Sequence, residues 1–348
     1  MRIAVIGAGN SGLAMAAFMS ANGHHVVLWN RSYTNLGVLA QTNVIRSSGC
    51  LNGDFAVQGV TDNMEEAVKN AELILVTTPA TAHLSLARLM KPFYQKGQKV
   101  ILNPGRTFGA LEFYRELGVD SDEVRGCIAE TQTIIFTCRK TATDSVNIIQ
   151  LKNGVLLSSL DSRKNVDFIG SLPSELQAYF IPARSIMQTS LGNIGMILHT
   201  IPVLLNTGWI EFSNVDFKYY YDGITPSIAN VLQKMDDERL AIAKSVGEDV
   251  ESLLCWLNRS YGVNANSIYS AIQSVEAYRF IDAPKSLQHR YIFEDIPTGL
   301  VPLEKLGLEK GVPTPVISLA INLANAVLST DFRKIGRLIS AKELRDIR

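Results

Sequence analysis

The sequence predicts an α/β Rossmann-type doubly wound domain followed by an all-α domain, and three observations carry that reading. A strand, a glycine turn and a helix open the chain at Arg2. Apolar strands then alternate with helical stretches through the first half. Past Ser185 the texture changes to apolar residues spaced three and four apart, the period of a helix face.

Taken in order, Arg2 to Ile6 reads as a short buried strand, Gly7 to Gly12 as a turn, and Leu13 to Asn22 as a small-residue helix stopped by Gly23. His25 to Trp29 is a second β-branched strand, which completes a strand, helix, strand unit of the kind that builds a parallel sheet. Ala67 to Ala71 reads as helix, while Leu73 to Thr77 and Lys99 to Leu102 read as continuously apolar strands before the turn Asn103-Pro104-Gly105. Strand texture persists at Ile134 to Phe136, Val146 to Leu151 and Val155 to Ser158, with a turn at Asn153-Gly154. From Ser190 the spacing of Ile194, Ile197, Leu198 and Ile201, then of Ile228, Leu232, Met235 and Leu240, predicts helices. The boundary is expected near Pro182-Ala183-Arg184, which gives domains 1–184 and 185–348.

A chain of 348 residues suits two domains of ordinary size. Lys+Arg and Asp+Glu are equal at 33 each, so no global field draws it to nucleic acid or an anionic membrane, and small molecules are the expected partners. The four cysteines, Cys50, Cys127, Cys138 and Cys255, are widely spaced and form no zinc-type cluster, so no metal is expected. No apolar run reaches the ~18 residues of a membrane span and no signal-peptide pattern precedes the first strand. The expected location is cytoplasmic, and a homodimer is compatible with the composition.

Gly7-Ala8-Gly9-Asn10-Ser11-Gly12 matches G-x-G-x-x-G between a strand and a helix. In that pattern Gly7 permits the tight turn, Gly9 lets the backbone approach a pyrophosphate, and Gly12 allows close packing of helix on strand. Asn10 and Ser11 would present N–H groups at the positive end of the helix, which needs no lysine to hold a phosphate. An NAD site usually places an acid at the end of the second strand; here the sequence reads Asn30-Arg31-Ser32, which suits a 2′-phosphate. NADP is therefore the expected cofactor, with NAD the alternative. Thr78 and Pro79 end a later strand, where carboxyl-end loops of a doubly wound sheet line the ligand crevice, and are candidate nicotinamide contacts.

Of the five histidines, His24 and His25 lie at a helix-to-strand turn, and His83 opens a helix where packing or capping is its ordinary use. His199 sits on an apolar helix after Gly192 and Gly195, where a lone imidazole is either a satisfied core group or a proton donor. His289-Arg290 precedes Tyr291-Ile292-Phe293-Glu294-Asp295-Ile296-Pro297-Thr298-Gly299-Leu300-Val301-Pro302, a stretch that joins acids, bases and turn residues.

At these residues the sequence resembles the opine dehydrogenase family, the octopine and nopaline type enzymes. The likeness runs through Gly7 to Gly12, Asn103-Pro104-Gly105-Arg106-Thr107, Ala129-Glu130-Thr131-Gln132-Thr133, the His199 helix, Tyr221-Asp222-Gly223-Ile224-Thr225-Pro226-Ser227 and Arg290 to Pro302. It implies NAD(P)H-dependent condensation of an α-keto acid with the amine of an amino acid. It also implies that His199 and Asp295 act as a proton relay and that Arg290 clamps the keto-acid carboxylate, a salt bridge from Arg290 to Glu294 or Asp295 being the structural alternative. Gln132 and Asn193 are candidates for orienting substrate through their amides. Two positions depart from the pattern. Related families carry Gly at the position of Phe108 and Pro directly after the histidine, whereas here Thr200-Ile201 precede Pro202, so a helix bend is expected one turn later.

Two other readings are distinguishable. A reductase of the ketopantoate or glycerol-phosphate type shares the domain order but resembles its relatives in using a lysine on the corresponding helix, and no lysine occurs from Ser190 to Gly208. A non-catalytic NADPH sensor would lack the histidine or the aspartate.

Overall fold

The computed structural model describes residues 1–119, 121–212, 216–340 and 343. They divide into two compact units, residues 1–190 with Glu343, and residues 191–340. In the first, twelve strands run in chain order as β1 (Arg2–Ile6), β2 (His25–Trp29), β3 (Val44–Gly49), β4 (Gly53–Ala56), β5 (Gly59–Thr61), β6 (Leu73–Val76), β7 (Lys99–Leu102), β8 (Ile128–Thr131), β9 (Phe136–Ala142), β10 (Ser145–Leu151), β11 (Val155–Ser159) and β12 (Phe180–Pro182). Eight of them form one sheet in the order β12-β11-β8-β7-β6-β1-β2-β5. Pairing is parallel from β5 through β8, and β11 joins antiparallel. The reversal of direction from β1, outward to β2 on one side and β6 on the other, puts the carboxyl ends of β1 and β6 beside the glycine turn.

The other four strands form a separate sheet, β4-β3-β10-β9. Val146 to Leu151, read from the sequence as strand without a sheet assignment, lies in this second sheet as part of β10. The strand expected at Ile134 begins at Phe136 instead. The smaller sheet covers α1 (Asn10–Ala21), whose Leu13, Ala14, Met15, Ala16, Ala17 and Met19 are all buried. An apolar surface all round a helix requires cover on both sides, and Ile45, Phe136, Val146 and Ile148 supply the second.

The second unit is helical, and among its described residues the one β feature is a bridge between Lys218 and Asp282. Its principal helices are α2 (Gly195–Leu205), α3 (Pro226–Ser245), α4 (Arg290–Phe293), α5 (Val301–Glu309) and α6 (Pro315–Leu328). Thr225 caps α3 by accepting from the Ile228 N–H at 3.3 Å, with Pro226 in the first turn. The fully buried Arg239 of α3 pairs with Asp236 at 2.7 Å and donates to the carbonyls of Leu191 and Glu251, so both charges are satisfied where they are buried.

Candidate active site

The glycine turn shows which of its residues the fold needs and which it does not. A methyl at Gly12 would lie 1.6 Å from the Gly7 carbonyl oxygen, and Gly7 itself has φ +110°, with a methyl there 2.8 Å from Thr78 Cγ2. Both glycines are demanded by packing. Gly9 has no atom within 4 Å of where its Cβ would stand, so the protein's own contacts give no reason for a glycine. Open space above an extended loop is what a pyrophosphate requires, and in this respect the residues fit a dinucleotide.

Several of the predicted cofactor residues have defined partners. Asn30 accepts from the Ala8 N–H at 3.4 Å and donates to the Ser32 carbonyl, tying the end of β2 to the glycine turn. Arg31 is exposed and enters no hydrogen bond or ion pair among the described residues. The Thr78 Oγ1 is buried without a hydrogen-bond partner, as is Oδ1 of Asn103, one at the end of β6 and the other at the end of the adjacent β7. Unmet acceptors and donors at that edge suit a polar ligand group. Thr77, which the sequence places at the end of the strand before Thr78, donates its hydroxyl to the Ile6 and Gly7 carbonyls at 3.0 and 3.2 Å and clasps the turn.

In the second unit, His199 stands on α2 with Nδ1 2.7 Å from Oδ2 of Asp295, which is completely buried while the imidazole stays 17% exposed. A buried carboxylate at one ring nitrogen sets the tautomer and leaves Nε2 for chemistry. Asp295 is delivered by the end of α4 and followed by a π-helical turn, Ile296–Leu300. That turn lies close to α2 because Gly299 has no side chain: a methyl there would be 2.8 Å from Met196 Cβ. Tyr291 stacks on the His199 ring with centroids 4.0 Å apart and planes within 13°, and His289 meets Tyr291 edge-on at 4.5 Å. His289 Nδ1 accepts from the Tyr291 N–H at 3.3 Å. Burial and the neighbouring Arg290 charge hold that imidazole below its usual range, which favours the neutral acceptor form.

The later proline is accommodated rather than merely tolerated. Pro202 has no N–H for the Leu198 carbonyl, and the buried Tyr219 hydroxyl donates to Leu198 and His199 carbonyls at 3.3 and 2.6 Å. The helix continues through Pro202 to Leu205 with the His199 backbone anchored from the side.

Comparison with known proteins follows the same two halves. Residues 182–328 match the family described as NAD/NADP octopine/nopaline dehydrogenase, alpha-helical domain, and residues 2–104 match the NAD-dependent glycerol-3-phosphate dehydrogenase N-terminus. The chain is 37% identical to the opine dehydrogenase of Arthrobacter sp. (strain 1C) over 97% of its own length and 93% of the relative's. The chain belongs to the opine dehydrogenase family. Octopine dehydrogenase in complex with NADH and agmatine has the same fold, with a TM-score of 0.77 at 17% identity over 94% of this chain and 90% of that one. NADP+-bound yersinopine dehydrogenase gives 0.73 at 13% identity over 99% and 94%. As an opine dehydrogenase, the protein is an NAD(P)-dependent oxidoreductase acting on CH–NH bonds. The glycerol-phosphate reading captured the nucleotide half, which the two classes share, and not the helical half.

Among the remaining predicted residues of this opine dehydrogenase, Arg290 is 53% exposed and pairs with the buried Glu294 at 2.9 Å. Asn193 is buried just ahead of α2, and Gln132 is partly buried past the end of β8, its N–H donating to the Leu156 carbonyl. The family position with Gly elsewhere has a physical reason, because Phe108 takes φ +62°, a left-handed conformation that glycine adopts without strain. Its ring is fully buried and its N–H donates to Ser190 Oγ at 2.9 Å. Glu130, quoted within a family motif but given no role, is a buried hub. It accepts from the Ala110 N–H and from the hydroxyls of Thr189 and Ser190 at 2.6–2.9 Å.

No helix among the described residues is long and apolar enough to cross a membrane.

Proposed function

We propose that His199 and Asp295 carry the proton transfers of an NADPH-preferring opine dehydrogenase that joins an α-keto acid to an amino acid. The observation that supports this most is the 2.7 Å bond between a partly exposed imidazole and a fully buried carboxylate. Condensation forms a C–N bond and expels the carbonyl oxygen as water. His199 Nε2 takes a proton from the donor ammonium, freeing the lone pair for attack, and returns it to the departing hydroxyl, so the imidazole ends as it began. Asp295 stabilises the imidazolium between the two transfers. When bound, the dinucleotide would be the source of the hydride that reduces the C=N carbon. The direct test is a spectrophotometric screen of pyruvate, 2-oxoglutarate and similar keto acids against the amino acids. Oxidation of NADPH that requires both substrates is expected, and turnover with a keto acid alone would overturn the reading.

Arg290 is proposed to hold the keto-acid carboxylate. Glu294 engages one terminal nitrogen of the guanidinium, and a fork has further N–H donors to offer a second carboxylate. A charged hydrogen bond of ~1.5–3 kcal/mol predicts that Arg290→Ala raises KM for the keto acid roughly ten- to a hundred-fold, with Arg290→Lys recovering only part. An unchanged KM together with a lowered melting temperature would leave Arg290 as the structural partner of Glu294. Gln132 and Asn193 are proposed to orient substrate through their amides.

NADP preference rests on Arg31, exposed at the end of β2 without an ion-pair partner, beside the hydroxyl of Ser32. Arg31→Asp is expected to reverse the preference by repelling the 2′-phosphate. Steady-state kinetics with each cofactor decide it, and a higher kcat/KM with NADH in the unaltered enzyme is the contrary result.

A further inference from the structure

The smaller sheet of the first unit does more than cover α1. Its edge strand β9 alternates in exposure, so that Phe136, Cys138 and Lys140 share the face turned toward α1 while Thr137, Arg139 and Thr141 face water. That face meets the start of α1 through three contacts. The Lys140 N–H donates to Asn10 Oδ1 at 2.8 Å, the Cys138 thiol to the Asn10 carbonyl at 3.4 Å, and Lys140 Nζ to the Ala8 carbonyl at 3.0 Å. A strand distant in sequence therefore sets an ammonium on the glycine turn, between Gly7 and Gly9. Burial pushes the Cys138 thiol up to about 11, so this neighbour is a packing group rather than a nucleophile.

We infer that Lys140 is a phosphate-binding cation of the cofactor cradle, supplied by the smaller sheet rather than by the glycine motif. The ammonium has three donors, of which the structure uses one, on Ala8. Among the described residues it has no carboxylate within ion-pair distance; Asp144 is its nearest acidic influence and itself pairs with Arg46 at 3.6 Å. Burial pulls this lysine below its ordinary range, and an added anion would offset that cost. Ala8, whose carbonyl it holds, donates its own N–H to Asn30 Oδ1, on the residue before Arg31. Two phosphate sources are consequently in reach of the same chemistry, the pyrophosphate over Gly9 and the 2′-phosphate next to Arg31. This assignment rests on dinucleotide binding at the turn and not on which substrates the enzyme joins.

The test is fluorescence titration of the full-length protein with NADPH and with NADH, without substrates, for the unaltered chain and for Lys140→Gln and Lys140→Arg. Gln can still donate to Ala8 but carries no charge. Lys140→Gln is expected to raise Kd about 10- to 100-fold, and Lys140→Arg much less. Equal weakening of both nucleotides would identify the pyrophosphate as the partner, and weakening of NADPH alone the 2′-phosphate. Unchanged affinity for both in a Lys140→Gln variant with an unaltered melting temperature would overturn the assignment. If Lys140→Gln lowered the melting temperature, an Arg variant with native stability and equally weakened binding would also overturn it, since the charge would then be irrelevant.

Discussion

Replacing His199 by Ala is expected to lower kcat by roughly 10²–10⁴-fold, the range for loss of a general acid–base group, while NADPH binding stays close to that of the unaltered enzyme. The residues proposed to hold the nucleotide belong to the first unit, and His199 sits on α2 of the second. Asp295→Asn should be nearly as damaging for a different reason. The amide keeps the shape but cannot stabilise an imidazolium at 2.7 Å, and its NH₂ can turn toward Nδ1 and fix the wrong tautomer. On the proposed relay the two residues form one unit, so the double variant should lose little more than either single one. Single-turnover kinetics beside nucleotide titration are the deciding measurements. Loss of NADPH binding in the His199 variant, or additive losses in the double variant, would mean that the pair is structural.

Gly12→Ala is expected to be the most damaging change in the cofactor cradle. Its methyl would lie 1.6 Å from the Gly7 oxygen and 2.7 Å from the Gly7 carbon, both backbone atoms that no side-chain rotation can move. The turn must open, at a cost of about 1–3 kcal/mol by analogy with overpacked cores, and nucleotide affinity should fall by roughly a hundred-fold or more as the loop N–H groups lose alignment. Gly9→Ala supplies the contrast. Its methyl meets nothing within 4 Å, so the protein without nucleotide should melt as before, yet binding should fail because the methyl stands where the pyrophosphate belongs. Melting curves with and without NADPH separate the two variants. Gly9→Ala with normal affinity would show that the cofactor passes elsewhere.

Local chemistry settled much of this protein from the sequence alone. Strand and helix periods depend on residues a few positions apart, so β1, α1, β2, β6, β7, α2 and α3 could be read directly. The glycine pattern belongs to the same class, since the tightness of the turn and the packing of Gly12 are set within six residues. His199 and Asp295 entered through the likeness of whole motifs, because nothing in their spacing along the chain places one beside the other.

Tertiary structure decided the rest, wherever partners are far apart in sequence. Pairing of β3 with β10 joins residues about a hundred positions apart, and that pairing builds a second sheet that the apolar pattern by itself does not distinguish from the first. It is this sheet that brings Lys140 to Ala8, so a lysine absent from the glycine motif reaches the glycine turn from outside it. The same holds for Tyr219, whose hydroxyl meets the Leu198 carbonyl that Pro202 leaves without an N–H. Periodicity is a property of neighbours in the chain and reports burial. Which buried or charged groups meet is a property of the packed fold, and no local pattern encodes it.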